Sequence, residues 1–262
     1  MDSHLPESLL FSEYLLGWEH DVARAAIICA TEDRPAFMQW LRWNVERQTY
    51  ADIELVLVDS SGIPASIFFE DCEFPVTCLT VPPGTTVGEK SNLAMAATEA
   101  KYIFWFGDDD WQHPERIERS VKTLEEGFDV AGFHRAYYLQ LWEERARICD
   151  HGRMPHHSLS GFRADAVRQT QFDYVPCGSD TRWMSAISRY GLRQKVDLSL
   201  PAASLWLIHG RNMSTFLSDV YPTSFAEVEE ALGEAIWGDT TEQVTALRAR
   251  LMEVGHGPKA EA

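Results

Sequence analysis

The sequence has no long apolar run: no window among its 262 residues approaches the roughly 18 consecutive apolar residues of a membrane-crossing helix. It also lacks a basic leader, because its opening MDSHLPESLLFSEYLLGWEHD is acidic where a secretory signal carries lysine or arginine. Both absences lead us to expect a cytoplasmic protein with no membrane span. Cysteine is sparse and unpatterned. Cys29, Cys72, Cys78, Cys149 and Cys177 include no CxxC pair, which argues against a disulfide framework or a zinc site. Internal repeats, low-complexity stretches and linker-like segments are missing too. Basic residues are few, 23 against 40 acidic ones, and the formal net charge of −17 disfavours general nucleic-acid binding. What is present is ample core material: 45% hydrophobic and 11% aromatic residues, enough for one large domain or two small ones.

The charge is unevenly spread. Residues 131–195 hold ten basic and six acidic side chains, whereas the other 197 residues hold 13 and 34. That leaves room for an anionic ligand on one face. An arginine-rich surface neutralised elsewhere fits equally well.

Apolar runs alternate with amphipathic stretches through the first half. Strands are predicted at Ala25-Ala-Ile-Ile-Cys-Ala30, Ile53-Glu-Leu-Val-Leu-Val58, 76–81 and Tyr102-Ile-Phe-Trp-Phe106. Helices are predicted to open at Pro35 and to cover 88–97 and 114–124. The second half is less regular. Residues 131–141 and 146–149 suggest a hairpin or meander, 179–190 a helix, and 203–208 a strand ending at His209-Gly-Arg-Asn212. The acidic amphipathic stretch 225–254 is expected to form one or two helices, split at Gly238-Asp-Thr-Thr241 with Thr241 offering a cap. This rhythm predicts an α/β fold with a mostly parallel central sheet flanked by helices.

In such sheets ligands bind beyond the carboxyl ends of the strands. Three polar clusters fall at predicted strand ends: Thr31-Glu32-Asp33-Arg34, Asp59-Ser60-Ser61 and Asp108-Asp109-Asp110. Far apart in the chain, they would converge on one rim. Adjacent aspartates raise one another's pKa unless a cation sits among them, and oxygen ligands of this kind suit Mg²⁺ or Mn²⁺. Asp108 and Asp110 form a D-x-D able to hold an ion against a nucleotide diphosphate. A solvated acidic turn ahead of the helix near Pro114 is the plain alternative.

The motifs, in order, are Ala25-Ala-Ile-Ile-Cys-Ala-Thr-Glu-Asp-Arg-Pro35, Gln48-Thr-Tyr-Ala-Asp-Ile-Glu-Leu-Val-Leu-Val-Asp59, Gly88-Glu-Lys-Ser-Asn92 and Tyr102-Ile-Phe-Trp-Phe-Gly-Asp-Asp-Asp-Trp111, closed by His113-Pro-Glu-Arg-Ile117. Together they resemble the family 2 inverting glycosyltransferases of the GT-A fold, well over 25–124 and thinly beyond. The resemblance implies an N-terminal extension (1–24), a GT-A domain (25–222) and a C-terminal helical tail (223–262). Within the domain it implies a nucleotide-sugar-binding half (25–124) and an acceptor-binding half (125–222).

The resemblance also implies roles. Thr31, Glu32 and Arg34 would line the base pocket and Asp59 would touch base or ribose. Lys90 would face the diphosphate from a helix start, where free N–H groups suit anions; a surface lysine pairing with Glu89 or Glu99 is the other reading. Asp108 and Asp109 would meet the donor, and Asp110, Asp108 and His209 would hold Mn²⁺ or Mg²⁺. Many relatives carry a further acid where Gly107 stands. Cys177-Gly-Ser-Asp-Thr-Arg-Trp183 resembles the segment that carries the catalytic base, which puts Asp180 in that role; an N-cap aspartate is the structural alternative. Arg182, Trp183 and Arg135 would meet the acceptor, with Trp183 and Trp206 available for stacking or for the core.

The expected reaction is metal-dependent transfer of a sugar from a nucleotide-sugar, by family habit a UDP-sugar, to an acceptor hydroxyl with inversion. The acceptor is left open: a saccharide, a small molecule, or an anion such as modified DNA or a phosphate-bearing glycan. A metal-dependent nucleotidyltransferase or phosphohydrolase would use the same aspartates. A carbohydrate-binding module would bind no nucleotide.

Overall fold

The computed structural model describes residues 25–143, 145–152, 156–200, 202–209 and 220–254. The N-terminal extension 1–24, Arg153, Gly210–Asn212 of the late motif and residues 255–262 lie outside the described residues.

The apolar runs of the first half are strands β1 (Ala25–Thr31), β2 (Ile53–Asp59), β3 (Val76–Thr80) and β4 (Tyr102–Trp105). Helix α1 (Pro35–Glu46) opens on Pro35, which presets the first helical turn. Helix α2 (Val87–Ala96) opens on a capping box in which Thr86 and Glu89 satisfy each other's backbone N–H groups. After the two-residue β5 (Trp111–Gln112) comes α3 (Arg116–Glu125). The second half adds β6 (Val130–Phe133), β7 (Arg135–Gln140), β8 (Arg145–Asp150), β9 (Ser160–Arg163), α4 (Ala164–Val167) and α5 (Ser179–Ile187). Then follow β10 (Gln194–Asp197), β11 (Ser204–Ile208), β12 (Val220–Thr223), α6 (Phe225–Leu232) and α7 (Glu234–Glu253).

A seven-stranded sheet runs β10-β6-β9-β4-β1-β2-β3, and only β9 opposes its neighbours. The fold class is as expected. Its central strands are buried on both faces, so their runs are continuously apolar rather than alternating. Ile27, Leu55, Leu57 and Phe104 enter one core with α1, α3, α6 and α7. Ile28, Val56, Val58 and Ile103 enter the other with α2 and α5.

A second sheet, β12-β8-β7-β11-β5, was not expected. The apolar run at 131–141 breaks at His134, placing β6 in the large sheet and β7 in the small one, where β7 and β8 form the anticipated hairpin. The helical tail also differs from expectation. Its break falls at Gly233 (φ +80°), and α7 passes through Gly238 unbroken. The cap belongs to Ser224, which shares a capping box with Glu227, while Thr241 hydrogen-bonds back to the Gly238 carbonyl. Val228, Leu232, Trp237, Leu247 and Leu251 join the first core, so α6 and α7 pack with the sheet.

Candidate functional site

The β1, β2 and β4 ends meet as one rim. Register sets Thr31 beside Asp59 and Ile28 beside Trp105, so the loops after these strands leave the sheet together. Side chains then latch the loops. Asp33, in the left-handed region at φ 49°, takes the Gly62 N–H at 2.9 Å and donates its own N–H to Ser61 Oγ at 2.7 Å. Aspartate tolerates that conformation better than most residues. Asp59 is buried, with both carboxylate oxygens filled by the Ser61 and Ala65 N–H groups at 2.8 and 2.7 Å. Asp59 therefore shapes the loop and turns no oxygen outward.

Lys90 is no surface lysine. It is 2% exposed, and its Nζ donates to the Thr31 carbonyl at 2.7 Å and to Ser60 Oγ at 2.6 Å, with Glu32 Oε2 at 3.5 Å. Burial lowers its pKa, and Glu32 offsets part of that. Glu32 itself is exposed and accepts the Gly84 N–H at 3.2 Å.

The aspartate triplet holds the centre. Thr31 Oγ1 donates to Asp108 Oδ2 at 2.7 Å. Arg34 Nη1 donates to Asp108 Oδ1 and to Asp109 Oδ2, each at 2.7 Å. His209, arriving from β11, places Nε2 3.1 Å from that same Asp109 oxygen. Trp40 Nε1 holds the Asp110 carbonyl at 3.1 Å, and Ser204 Oγ holds the Trp111 carbonyl at 2.8 Å, so both flanks of the turn are pinned.

The three carboxyls sit in different fields. Burial raises Asp108, only partly offset by Arg34. Burial also acts to raise Asp109, but hydrogen bonds from His209 and Arg34 outweigh it and hold the group low. Asp110 is pushed well above the ordinary carboxylate range by burial and then by repulsion from Asp109 and Asp108. Among the described residues no donor reaches its carboxyl. It folds back over Gly107, where an added Cβ would lie 2.6 Å from Asp110 Oδ2. A larger residue there would push the Asp110 carboxyl aside.

Beneath the triplet lies Arg116, 0% exposed and given no role from sequence. Its guanidinium sits 5.0 Å over Phe106 and donates to the Gln112 side chain and to the Trp105 and Ser160 carbonyls at 3.4 and 3.3 Å. Burial lowers its pKa to about 9, against which the Asp110 charge acts, so it stays cationic at neutral pH. One signal was legible: Arg116 lies on the stripe of α3 that carries Ile117, Ser120, Val121 and Leu124 into the core.

Asp180 stands in the first turn of α5, which follows Gly178 in the left-handed region at φ +78°. Two imidazoles sense its charge, His156 and His157. Burial lowers them to about 4 and about 3, so they are neutral at pH 7 and give Asp180 no counter-charge.

Residues 27–190 match the profile described as Glycosyl transferase family 2. The chain belongs to that family. An uncharacterized glycosyltransferase of Haemophilus influenzae is 22% identical over 105 residues, 40% of this chain and 36% of that protein. The chain thus spans about a third of that relative. S. aureus TarS 1–349, solved with UDP-GlcNAc, is 14% identical at a TM-score of 0.60 over 79% of this chain and 64% of that one. The Pyrobaculum calidifontis mannosyltransferase PcManGT, solved with GDP-Man and Mn²⁺, is 12% identical at 0.57, over 92% and 77%. These likenesses show the GT-A fold.

Two acceptor expectations for this family 2 chain need correction. Trp183 is 1% exposed, stacked on Phe172 at 4.6 Å with its Nε1 bonded to Thr170 Oγ1, and has no face to offer a ligand. A large ring on the inner side of α5 goes to the core. Arg135 begins β7 and pairs with Asp150 at 3.0 Å, whereas His209 follows the residue paired with Gln140 at the strand's other end. At about 3.3 Å per residue, that separates Arg135 from the rim by roughly 17 Å of strand. Arg182 is exposed on α5 with Asp173 at 3.7 Å.

A divalent ion suits the chemistry of this donor set. Asp110 is a half-buried carboxyl beside two others, and among the described residues no side chain donates a hydrogen bond to it. The geometry with Arg34 in place is not yet that of an ion site, because among the described residues no three acid, histidine or cysteine side chains converge as ligands.

The buried histidines also bear on stability. A histidine lowered by folding binds fewer protons than in the unfolded chain, so stability is full above about pH 6.5 and drains as pH falls through the folded pKa. His113 and His156, lowered to about 4, and His157, lowered to about 3, all act in this direction. His157→Phe is expected to flatten the decline between pH 6.5 and 4, read by urea unfolding at both ends. An unchanged slope would rule out His157 as a contributor.

Proposed function

We propose that this chain transfers a sugar from a nucleotide-sugar, most simply a UDP-sugar, to an acceptor hydroxyl with inversion, assisted by Mn²⁺ or Mg²⁺. The observation that carries this reading is the latched rim, where Thr31, Lys90, the aspartate triplet and His209 are joined by direct hydrogen bonds. TarS with UDP-GlcNAc and PcManGT with GDP-Man and Mn²⁺ support the donor class and the ion.

Glu32 and the loop shaped by Asp59 would meet the nucleoside. Lys90 supports the β1 end from below and brings positive charge toward the diphosphate. Asp110, with Asp108 and His209, would hold the ion, which when bound neutralises the departing nucleotide diphosphate. Asp180 takes the proton from the acceptor hydroxyl as that oxygen attacks the anomeric carbon and the diphosphate leaves from the opposite side. Asp109 is bonded to His209 and Arg34, which leaves Asp180 as the proposed base.

The acceptor we favour is an uncharged saccharide or small hydroxyl compound. The basic segment is not bare: Arg135, Arg145, Arg163, Arg168, Arg182 and Lys195 each pair with a carboxylate. The test is incubation with UDP-glucose, UDP-GlcNAc and GDP-mannose in Mn²⁺. Release of the nucleoside diphosphate supports the proposal. Release of pyrophosphate or a sugar phosphate would place the chain among nucleotidyltransferases or phosphohydrolases instead.

A further inference from the structure

Arg34 was expected at the nucleotide base, yet its guanidinium lies in the aspartate triplet. One nitrogen, Nη1, bridges Asp108 Oδ1 and Asp109 Oδ2 at 2.7 Å each, and these two oxygens belong to adjacent residues of the D-x-D turn. A cation bridging consecutive carboxylates does there what a bound metal ion does: it relieves their repulsion. Asp108 keeps its second oxygen on Thr31, and Asp109 shares its bonded oxygen with His209. With Arg34 inserted, Asp108 and Asp109 are spoken for and no ion-ready trio stands open among the described residues.

Arg34 does not serve all three acids. Its guanidinium bonds Asp108 and Asp109, and Asp110 receives none of its donors. A divalent ion would bring twice the charge of Arg34 and would reach the carboxyl that Arg34 leaves alone. Arg34 is also placed to leave. It precedes Pro35 at the helix boundary with φ −123° and ψ 50°, outside the helical ladder, and its side chain is 20% exposed. Rotating it outward gives up its place 5.7 Å over the Phe37 ring but leaves the α1 backbone ladder intact.

We infer that Arg34 is an internal counter-cation of the donor-free enzyme, and that a divalent ion enters the aspartate triplet only by displacing it. This rests on the metal-assisted reading proposed above. The apparent metal affinity of the free protein is then reduced by the fraction of molecules in which Arg34 occupies the triplet. Donor phosphates, being anions, would favour the displaced guanidinium, so nucleotide and ion would assist each other's binding.

The experiment is Mn²⁺ titration without nucleotide, following free aqueous Mn²⁺ by electron paramagnetic resonance, on wild type, Arg34→Gln, Arg34→Lys and Asp110→Asn. We expect Arg34→Gln to bind Mn²⁺ about tenfold more tightly or better, since its competitor is gone. Arg34→Lys, which keeps the charge but carries it on a shorter, more strongly hydrated head than the guanidinium, should show a smaller gain of the same sign. It also serves if the glutamine variant folds poorly by circular dichroism. Asp110→Asn should lose binding. If wild type binds Mn²⁺ and neither Arg34 variant gains affinity, the counter-cation role is wrong while the metal reading stands. If no folded protein of the set binds Mn²⁺, both are wrong.

Discussion

Asp180→Asn is expected to lower kcat by about 10² to 10⁴-fold while leaving the affinity for UDP and Mn²⁺ unchanged. The aspartate sits in the first turn of α5 and takes no part in the hydrogen bonds that join the rim. Asparagine keeps the size and the acceptor oxygen but cannot take a proton. Its loss at a helix start costs about 0.3–1 kcal/mol of helix-dipole stabilisation, too little to explain a hundredfold loss of rate. The rate is read as UDP release from the donor with water as acceptor, and affinity by calorimetry. A variant that keeps its rate within tenfold would return Asp180 to a structural part, and one that loses UDP binding would place it in the donor site.

Asp110→Asn should separate stability from function. In EDTA the variant is expected to be more stable than wild type at pH 7, by about 1 kcal/mol, because a half-buried carboxyl crowded by two others becomes a neutral amide. The sign follows from the raised pKa of Asp110. Between the ordinary carboxylate pKa and the raised one, the native state binds more protons, so wild-type stability falls as pH rises through that window. The advantage of the variant should therefore shrink as pH falls toward the ordinary carboxylate range. With Mn²⁺ and UDP the order should reverse, since only wild type gains ligand stabilisation. Equal stability in EDTA would mean that Asp110 has a partner that neutralises it.

The rim was legible because its strands are buried on both faces. Continuous apolar runs such as Ile53–Asp59 stop abruptly at polar residues, and the stop marks the strand end. The second sheet was not legible: β5 has two residues, and its pairing with β11 joins Trp111 to Leu205 across a long separation. Nor does any local pattern distinguish β6 from β7, which part at a single histidine. Lys90 stands at a helix start and Asp59 at a strand end, as expected, yet their partners depend on which rotamers reach across β1 and β2. Arg34 shows the same limit, since its carboxylate partners lie more than 70 residues away. Trp183 sits one turn of helix from candidate polar residues, and only burial decides which face it takes.

The donor site is the central claim, and calorimetric titration of UDP with and without Mn²⁺, with GDP and dTDP as controls, tests it most directly. Metal-dependent binding that prefers one of these nucleotides and disappears in Asp110→Asn is the predicted result. Folded protein that binds none of them, with or without Mn²⁺, would contradict it and leave the latched rim without its proposed ligand.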